Sequence, residues 1–341
     1  DNSAVLPPLL CQLLSFAADY YHYPLGEVLI SALPALLREG RELSDYQPKA
    51  YRLTAAGRQL EAKTLKRSAK QLALWQTLQA HQLTESVLLQ QHSRAALKPL
   101  LDKQLAEEII VPPTPYAAPA KAAEGLKLTQ AQALAVTAVE QACGRFERLL
   151  LEGVTGSGKT EVYLQSIAKL LQTQQQVLLI VPEIGLTPQT LARFQARFDV
   201  PVLCWHSALT DSERLHCWLQ ASTGAAAIII GTRSALFLPF YRLGLIIIDE
   251  EHDQSLKQQD GFRYHARDLA VKRASLEQCP ILLGSATPSL ESLYNVQQQK
   301  FIHLQLPERA TSQQVPQIEL IDLKQQVLKH GLADGTLAQI R

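Results

Sequence analysis

A run of eight residues constrains the fold most: Gly153-Val154-Thr155-Gly156-Ser157-Gly158-Lys159-Thr160, just after the apolar run Leu149 to Leu151. It fits the pattern G-x-x-x-x-G-K-[ST], in which a glycine-rich turn between a strand and a helix wraps backbone N–H groups around phosphate oxygens. The lysine supplies a charge for the β and γ phosphates, and the threonine hydroxyl is placed for Mg²⁺. The motif predicts a nucleotide-binding α/β domain whose ligand contacts Gly153, Thr155, Gly156, Ser157, Gly158, Lys159 and Thr160.

Further apolar runs alternate with helical segments after residue 126. The alternation is typical of a parallel sheet covered by helices, because strands that are buried on both faces are apolar throughout. We therefore predict a doubly wound α/β domain with strands at 149–151, 177–181, 202–203, 227–230, 245–248 and 281–283. Ligands of such sheets lie beyond the carboxyl ends of the strands, so the residues that follow each run are the candidate site residues.

The sequence Asp-Glu-Glu-His at 249–252 follows one of these predicted strands directly. Beside a phosphate loop, two carboxylates at a strand end can divide two tasks. We expect Asp249 to hold Mg²⁺ together with Thr160, and Glu250 to orient and deprotonate the water that attacks the γ-phosphate. Lys159, Asp249 and Glu250 are then the catalytic residues. The alternative is a solvated run of charges on a loop.

Charge and cysteine usage exclude several classes of protein. With 33 Lys and Arg against 32 Asp and Glu, the net charge is +1, so any contact with DNA would depend on local patches. No apolar run approaches the roughly 20 residues of a membrane helix, and the five cysteines form no CxxC pair of a zinc site. We expect a soluble, cytoplasmic protein with no membrane contact and no zinc site in this part of the chain.

The region before the phosphate loop divides by composition. Residues 1–41 are expected to form apolar helices. Residues 42–111 combine a strand at 49–53 with short helices, an order that suits a winged-helix module. Such a module binds duplex DNA or serves as a protein contact or spacer, and its few basic residues leave both open. A Pro- and Ala-rich linker at 112–125 leads into the nucleotide-binding domain, predicted at 126–310.

The acidic run, together with Gly284-Ser285-Ala286-Thr287-Pro288, resembles the superfamily-two helicases. Segments at 181–189, 206–214 and 231–235 make nearly the whole chain similar to the bacterial replication-restart helicase family. The resemblance implies a RecA-like first helicase lobe that uses ATP and Mg²⁺, preceded by the winged helix and, at 1–41, by the end of a DNA-binding domain. It also implies that 311–341 lead to a second lobe outside this chain, where Zn²⁺ is expected, and that these 341 residues alone hydrolyse ATP poorly.

For the whole protein, the resemblance implies a monomeric, nucleoid-associated DNA helicase. It would recognise stalled or branched replication forks, unwind DNA and initiate primosome assembly. The expected partners are single-stranded and forked DNA, other primosomal proteins and the single-stranded-DNA-binding protein. One alternative is a fork-binding scaffold for primosome loading in which ATP hydrolysis is secondary. Another is a general translocase of duplex DNA, which would have no reason to carry an aromatic and basic loop after the acids.

The resemblance also suggests which residues bind adenine and DNA. Gln132, which ends the segment 128–132, looks like the glutamine that reads adenine through its amide. Thr187, Thr232 and Arg233 are similar to residues that track single-stranded DNA along its phosphates. For each of the two threonines, a helix N-cap is an equally good interpretation.

The loop 257–268 resembles the aromatic-rich loop of the family. Rings can stack on unpaired bases and basic groups can pair with phosphates, so the loop could report DNA occupancy to the ATP site. The alternative is a surface loop that Phe262 fixes in the core. Outside this loop, Ser285 and Thr287 resemble residues that couple ATP hydrolysis to lobe movement. The expected DNA-contacting residues of the loop are Lys257, Phe262, Arg263, Tyr264 and Arg267.

Overall fold

The structure is a computed structural model that describes residues 6–41, 48–65, 68–111, 113–119 and 125–309. The predicted connecting segment 311–341 lies outside the described residues, as do Pro112 and 120–124 of the predicted linker. No helix in the described part of the chain is long and apolar enough to cross a bilayer.

Residues 6–41 form three helices, α1 (Pro8–Tyr20), α2 (Leu25–Ser31) and α3 (Ala35–Arg38). Proline is tolerated in the first turn of α1, because the N–H that it lacks has no partner within a helix at that position. Gly40, with a φ of +80°, follows the end of α3, as expected of a helix C-terminus. One face of α1 is buried through Leu10, Leu13, Leu14 and Ala17.

The next unit combines helices with a small antiparallel sheet. Its elements are β1 (Lys49–Leu53), α4 (Ala55–Gln59), α5 (Ala69–Ala80), β2 (Leu83–Thr84), α6 (Glu85–Gln91), α7 (Arg94–Asp102) and β3 (Ala106–Ile110). The strand order is β2-β1-β3. The indole N–H of Trp75 donates to the backbone oxygen of Gly57 at 2.8 Å, which joins α5 to α4 in the core. The predicted strand at 49–53 and the predicted short helices are present, whereas β2 and β3 were not predicted.

Among the described residues, 125–309 form a third unit with seven parallel strands, in the order β10-β4-β9-β8-β5-β7-β6. The strands are β4 (Arg148–Gly153), β5 (Gln176–Ile180), β6 (Val202–Trp205), β7 (Ile228–Gly231), β8 (Leu243–Ile248), β9 (Ile281–Ser285) and β10 (Ile302–Leu306). All six predicted strands are confirmed. The seventh, β10, lies at the sheet edge and has a single buried residue, Leu306, and its sequence Ile-His-Leu-Gln-Leu lacks the continuous apolar run that identifies the central strands.

Helices cover both faces of this sheet, which confirms the doubly wound α/β fold. They are α8 (Gln130–Ala142), α9 (Lys159–Leu171), α10 (Pro188–Arg197), α11 (Asp211–Ser222), α12 (Ala266–Glu277) and α13 (Leu290–Gln297). Alternate residues of the central strands enter two separate cores, one with α8, α9 and α10 and the other with α11 and α12. The carboxyl ends of the strands therefore form one edge on which the loops converge.

The N-terminal helices belong to the second of these cores. Leu13 and Leu14 of α1 cluster with residues of α12 and of the sheet. The indole N–H of Trp218 in α11 donates to the backbone oxygen of Ala32 at 3.1 Å. Residues 6–41 thus cover a face of the sheet, and their buried partners lie downstream in the chain.

The described part of the predicted linker is attached to the third unit. The Tyr116 side chain is buried, and its hydroxyl donates to the backbone oxygen of Gln175 at 2.8 Å. Its backbone N–H donates to the oxygen of Gly224 at 2.9 Å. Tyr116 therefore fastens this segment to the residue just before β5 and to the turn that follows α11.

Candidate nucleotide and DNA site

The phosphate loop connects β4 to α9, as the sequence predicts. Gly156 and Gly158 have φ values of +82° and +85°, which residues other than glycine rarely adopt. Among the described residues, no atom beyond those of the adjacent residues lies within 4 Å of the position that a Cβ atom of residue 156 would occupy. Gly158 is the N-cap of α9, and Thr160 lies in its first turn. The loop thus leaves a concave surface at the positive end of a helix, which is a favourable place for phosphate groups.

Lys159 is buried beneath this loop. Its ammonium group donates to the backbone oxygen of Gly153 at 2.9 Å and lies 3.8 Å from Oε1 of Glu250. A cavity of about 490 Å³ opens at this point. The loop, Lys159, Asp249 and Glu250 all line the cavity, together with Gln132. The structure therefore brings the three predicted catalytic residues together.

Asp249 is fixed from the helix side by a residue that the sequence analysis missed. The Tyr163 hydroxyl donates to Oδ1 of Asp249 at 2.9 Å. Burial raises the pKa of Asp249, while this hydrogen bond and the charge of Lys159 oppose the rise. Burial and the adjacent carboxylate raise the pKa of Tyr163 well above its usual value, so the phenol remains the donor. The sequence could have identified Tyr163, because it is four residues after Lys159 and therefore lies on the same face of the helix.

Glu250 has an unusual backbone conformation. Its φ is +47°, in the left-handed region, which costs a residue other than glycine on the order of 1–3 kcal/mol and persists only where neighbours impose it. The carboxylate lies 3.8 Å from Lys159 and 3.7 Å from Nδ1 of His252. His252 in turn lies 2.7 Å from the hydroxyl of Ser285 at the end of β9. The acidic run is therefore in contact with the Ser285-Ala286-Thr287 segment, as a coupling role for Ser285 requires.

Glu251, to which the sequence analysis assigned no role, is completely buried. Oε1 accepts a hydrogen bond from the backbone N–H of Ser289 at 2.7 Å. Oε2 accepts from Arg267 at 3.0 Å and from the hydroxyls of Ser289 and Ser292 at 3.2 and 3.0 Å. A charge run gives no hint of this, since runs of acids are usually solvated. Arg267, predicted to contact DNA, is held in this internal ion pair.

Gln132 joins α8 to the phosphate loop. Its side-chain oxygen accepts from the backbone N–H of Thr129 at 2.9 Å, and its amide N–H donates to the oxygen of Ser157 at 2.8 Å. Leu126, Lys127 and Gln132 line the same cavity as the loop. Gln132 thus lines the cavity with both ends of its amide engaged within the chain, and its adenine-reading role stays a prediction.

A second buried acid, Glu161, connects three elements beside the cavity. It accepts from Arg197 at the end of α10 at 3.1 Å and from the backbone N–H of Leu126 at 3.1 Å. Gln165 donates to the same oxygen at 2.9 Å. Sequence reasoning missed Glu161 because an acid in the first turn of a helix is ordinarily explained by the helix dipole.

The candidate DNA residues Thr187, Thr232 and Arg233 differ in their surroundings. The Thr187 hydroxyl accepts from the backbone N–H of Thr190 at 3.1 Å and caps α10, so the N-cap interpretation holds for this residue. Thr232 is buried and makes no side-chain cap. Arg233 donates to Gln258 at 2.5 Å and to the backbone oxygen of Ser255 at 2.9 Å. Arg233 therefore holds the start of the aromatic-rich loop.

The rings of the aromatic-rich loop face inward. Phe262 and Tyr264 are stacked with centroids 4.9 Å apart, and both are at least nine-tenths buried. Phe262 also contacts Tyr21 and Tyr23 of residues 6–41, the N-terminal unit, at 6.1 and 5.4 Å between ring centroids. Lys257 and Arg263 are exposed. In this conformation the loop offers cations, and no ring, to a nucleic acid.

Comparisons with known proteins match the region of the chain that contains these residues. The family of DEAD/DEAH box helicases matches residues 129–296. The whole chain is 44% identical to replication restart protein PriA of Haemophilus influenzae, and it spans 48% of that relative. PriA of Synechocystis is 49% identical over 62% of this chain and 26% of the relative. Among solved structures, RecG bound to a three-way DNA junction has a TM-score of 0.42 at 24% identity, over 55% of this chain and 25% of RecG.

Proposed function

We infer, because the chain belongs to the family of replication restart protein PriA, that the whole protein is an ATP-dependent DNA helicase of replication restart. One observation carries the proposal: Lys159, Asp249 and Glu250 line a single cavity beneath the phosphate loop. The contact between His252 and Ser285 links this cavity to the next strand end. An ATPase with such a link can convert nucleotide state into movement of a neighbouring segment.

The cavity fits a triphosphate with Mg²⁺. The surface beside Gly156 is open, and the buried ammonium of Lys159 has only backbone and Glu250 as partners among the contacts described. Burial raises the pKa of Asp249, a desolvation cost that a bound cation would offset. Thr160 and Asp249 would hold Mg²⁺, which neutralises charge on the phosphates when bound.

The residues of this chain then divide the work. Lys159 holds the β and γ phosphates, and the backbone N–H groups of 155–160 surround them. Glu250 accepts a proton from the attacking water and orients it. Gln132 reads adenine once its amide exchanges an internal partner for the base.

We also propose that the whole protein recognises forked DNA and starts primosome assembly with other primosomal proteins and the single-stranded-DNA-binding protein. The unit 48–111 combines short helices with antiparallel strands, a combination that is compatible with the predicted winged-helix module and so supports contact with duplex DNA. Lys257 and Arg263 supply exposed cations at the edge where the loops converge. The PriA relatives are known as replication restart proteins, which supports the same process for this one.

Glu250→Gln tests the ATPase. The amide cannot accept the proton of the attacking water, so we expect ATP turnover with forked DNA to fall by about 10²-fold or more. Binding of ATP and of the fork should stay within about twofold, because the phosphate loop and the surface cations are unchanged. The measurement is steady-state ATP hydrolysis by the full-length protein, with fluorescence anisotropy for fork binding.

Glu140→Gln is the matched control. Glu140 is an acid on α8 whose recorded partner is Lys169, outside the cavity. Its variant should turn over ATP at the wild-type rate. If wild-type protein binds forks tightly but turnover neither responds to DNA nor depends on Glu250, the scaffold alternative replaces the helicase proposal.

A further inference from the structure

The backbone of Glu250 is held by both of its neighbours. The Asp249 N–H donates to the oxygen of Ile180 in β5 at 2.9 Å, and the Glu251 N–H donates to the oxygen of Gly284 in β9 at 3.0 Å. These two bonds attach the acidic run to the strands on either side of β8. The left-handed φ of Glu250 therefore depends on the positions of Asp249 and Glu251.

The side chain of Glu251 strengthens one of these attachments. Its carboxylate is completely buried, and four groups donate to it: the Arg267 guanidinium, the Ser289 backbone N–H and the hydroxyls of Ser289 and Ser292. Ser289 is the N-cap of α13, so the carboxylate is fastened to the start of that helix. A buried carboxylate with this many donors is fixed in place, because no donor can leave without exposing an uncompensated charge.

Arg267 connects the same carboxylate to the aromatic-rich loop. It lies in the first turn of α12, two residues after the N-cap His265, whose side chain accepts from the Arg267 N–H at 3.3 Å. The His265 N–H donates to the Tyr21 hydroxyl at 3.1 Å, at the point where the loop ends against the N-terminal unit. A shift of the loop end would therefore move the guanidinium that Glu251 requires.

We propose that Glu251 and Arg267 are positioning residues, which hold the Glu250 backbone in its left-handed conformation and so aim the Glu250 carboxylate into the cavity. The third acid of the run does not touch the nucleotide. It acts through its neighbour, and Arg267 makes its position depend on the aromatic-rich loop. The inference rests on the proposed role of Glu250 in ATP hydrolysis.

Glu251→Gln tests the inference in the full-length protein. The amide keeps the shape of the side chain but loses the charge that Arg267 requires. We expect kcat for ATP to fall about tenfold or more, because misplacement of a catalytic group by a fraction of an ångström is costly. KM should stay within about twofold, because no contact of the phosphate loop changes. Asp268→Asn is the control, since it removes the exposed partner of Arg267 and leaves the Glu251 side intact.

The Glu250→Gln background separates positioning from general structural damage. If Glu251 acts through Glu250, then adding Glu251→Gln to Glu250→Gln leaves the residual kcat unchanged within about twofold. A further fall of tenfold would overturn the inference, as would a single Glu251→Gln variant with wild-type kcat. Wild-type protein without DNA-stimulated turnover would instead overturn the proposed function, and the inference with it.

Arg267→Lys provides a second variant if Glu251→Gln does not fold. Lysine keeps the charge but cannot reach Glu251 and Ser289 with the same planar group. We expect a fall in kcat smaller than that of Glu251→Gln with KM unchanged. An Arg267→Lys variant that raises KM and leaves kcat intact would contradict a role through Glu250.

Discussion

Tyr163 and Gly284 show how tightly Asp249, the proposed Mg²⁺ ligand, is enclosed. A Cβ atom built on Gly284 would lie 1.7 Å from the Tyr163 hydroxyl and 3.5 Å from Oδ1 of Asp249. Glycine is therefore required here by space, because the strand end and α9 approach each other closely. A single methyl group at this point would displace the phenol that donates to Asp249.

Gly284→Ala is expected to lower the free energy of unfolding by about 1–3 kcal/mol through overpacking. Tyr163→Phe should partly restore it in the double variant, because the closest atom is gone. Urea denaturation of the single and double variants measures both effects. Gly26→Ala is the control, since nothing lies within 4 Å of its Cβ position and its variant should be at least as stable as the wild type. Equal stability of Gly284→Ala and wild type would contradict the packing described.

Glu250 also shows which properties of a residue a local sequence pattern can predict. Its proposed role as a base was predicted from two patterns, an apolar strand that ends in acids and a phosphate loop, and each of these is a contiguous stretch of sequence. Its left-handed backbone does not follow from them, because the backbone N–H groups of its neighbours Asp249 and Glu251 are held by β5 and β9, which lie far away in the sequence.

Helices α9 and α10 are joined by a pair that is largely buried. Arg197 ends α10, and Glu161 lies in the first turn of α9, with 14% and 7% of their side chains exposed. Leu126 is fastened to the same carboxylate, so the segment that enters the cavity beside Gln132 depends on the pair. The contact also joins the far end of the helix that Thr187 caps to the phosphate-loop helix.

Arg197→Gln is expected to destabilise the protein by about 3 kcal/mol, because it leaves the buried Glu161 charge without its cation. The double variant with Glu161→Gln should cost less than the sum of the two single changes. Chemical denaturation measures the cycle. Lys169→Gln, in the exposed pair with Glu140, should cost under about 1 kcal/mol. Additive effects of Arg197→Gln and Glu161→Gln would show that the pair is not coupled.

At the scale of the whole molecule, residues 6–41 and the seven-stranded sheet share a core. Leu13 and Leu14 of α1 are fully buried in the cluster that also contains α12 and alternate residues of the central strands. Phe262 packs in this core against Tyr21 and Tyr23, and Tyr264 stacks on Phe262. The N-terminal unit is therefore a structural part of the α/β unit, whatever precedes it.

Leu13→Ala should lower the free energy of unfolding by about 2–5 kcal/mol, the range for a fully buried leucine. The loss should appear in the tryptophan signal of a Trp75→Phe background, in which the remaining Trp205 and Trp218 lie in the α/β unit rather than in α1. Leu9→Ala is the matched control in the same helix, since Leu9 is 37% exposed and its loss should cost under about 1 kcal/mol. A wild-type tryptophan transition for Leu13→Ala would mean that α1 unfolds separately from the sheet.

The sequence was sufficient for features that a contiguous pattern encodes. The phosphate loop, six of the seven strands of the parallel sheet and the position of Asp249 and Glu250 beside the loop all follow from apolar runs and from the residues that end them. Edge strand β10 was not predicted, because a half-exposed strand needs no continuous apolar run. The roles of Gln132, Thr232 and Ser285 remain predictions, as does contact of the aromatic-rich loop with DNA.

Tertiary structure decided which distant side chains meet, and it thereby changed the meaning of several residues. Arg267 and Arg233 look in sequence like phosphate contacts, but each pairs with groups of its own chain. Glu251 looks solvated and is buried. The physical reason is common to all three: the cost of burying a charge depends on its partners, and those partners come from segments whose proximity only the packed sheet and helices create.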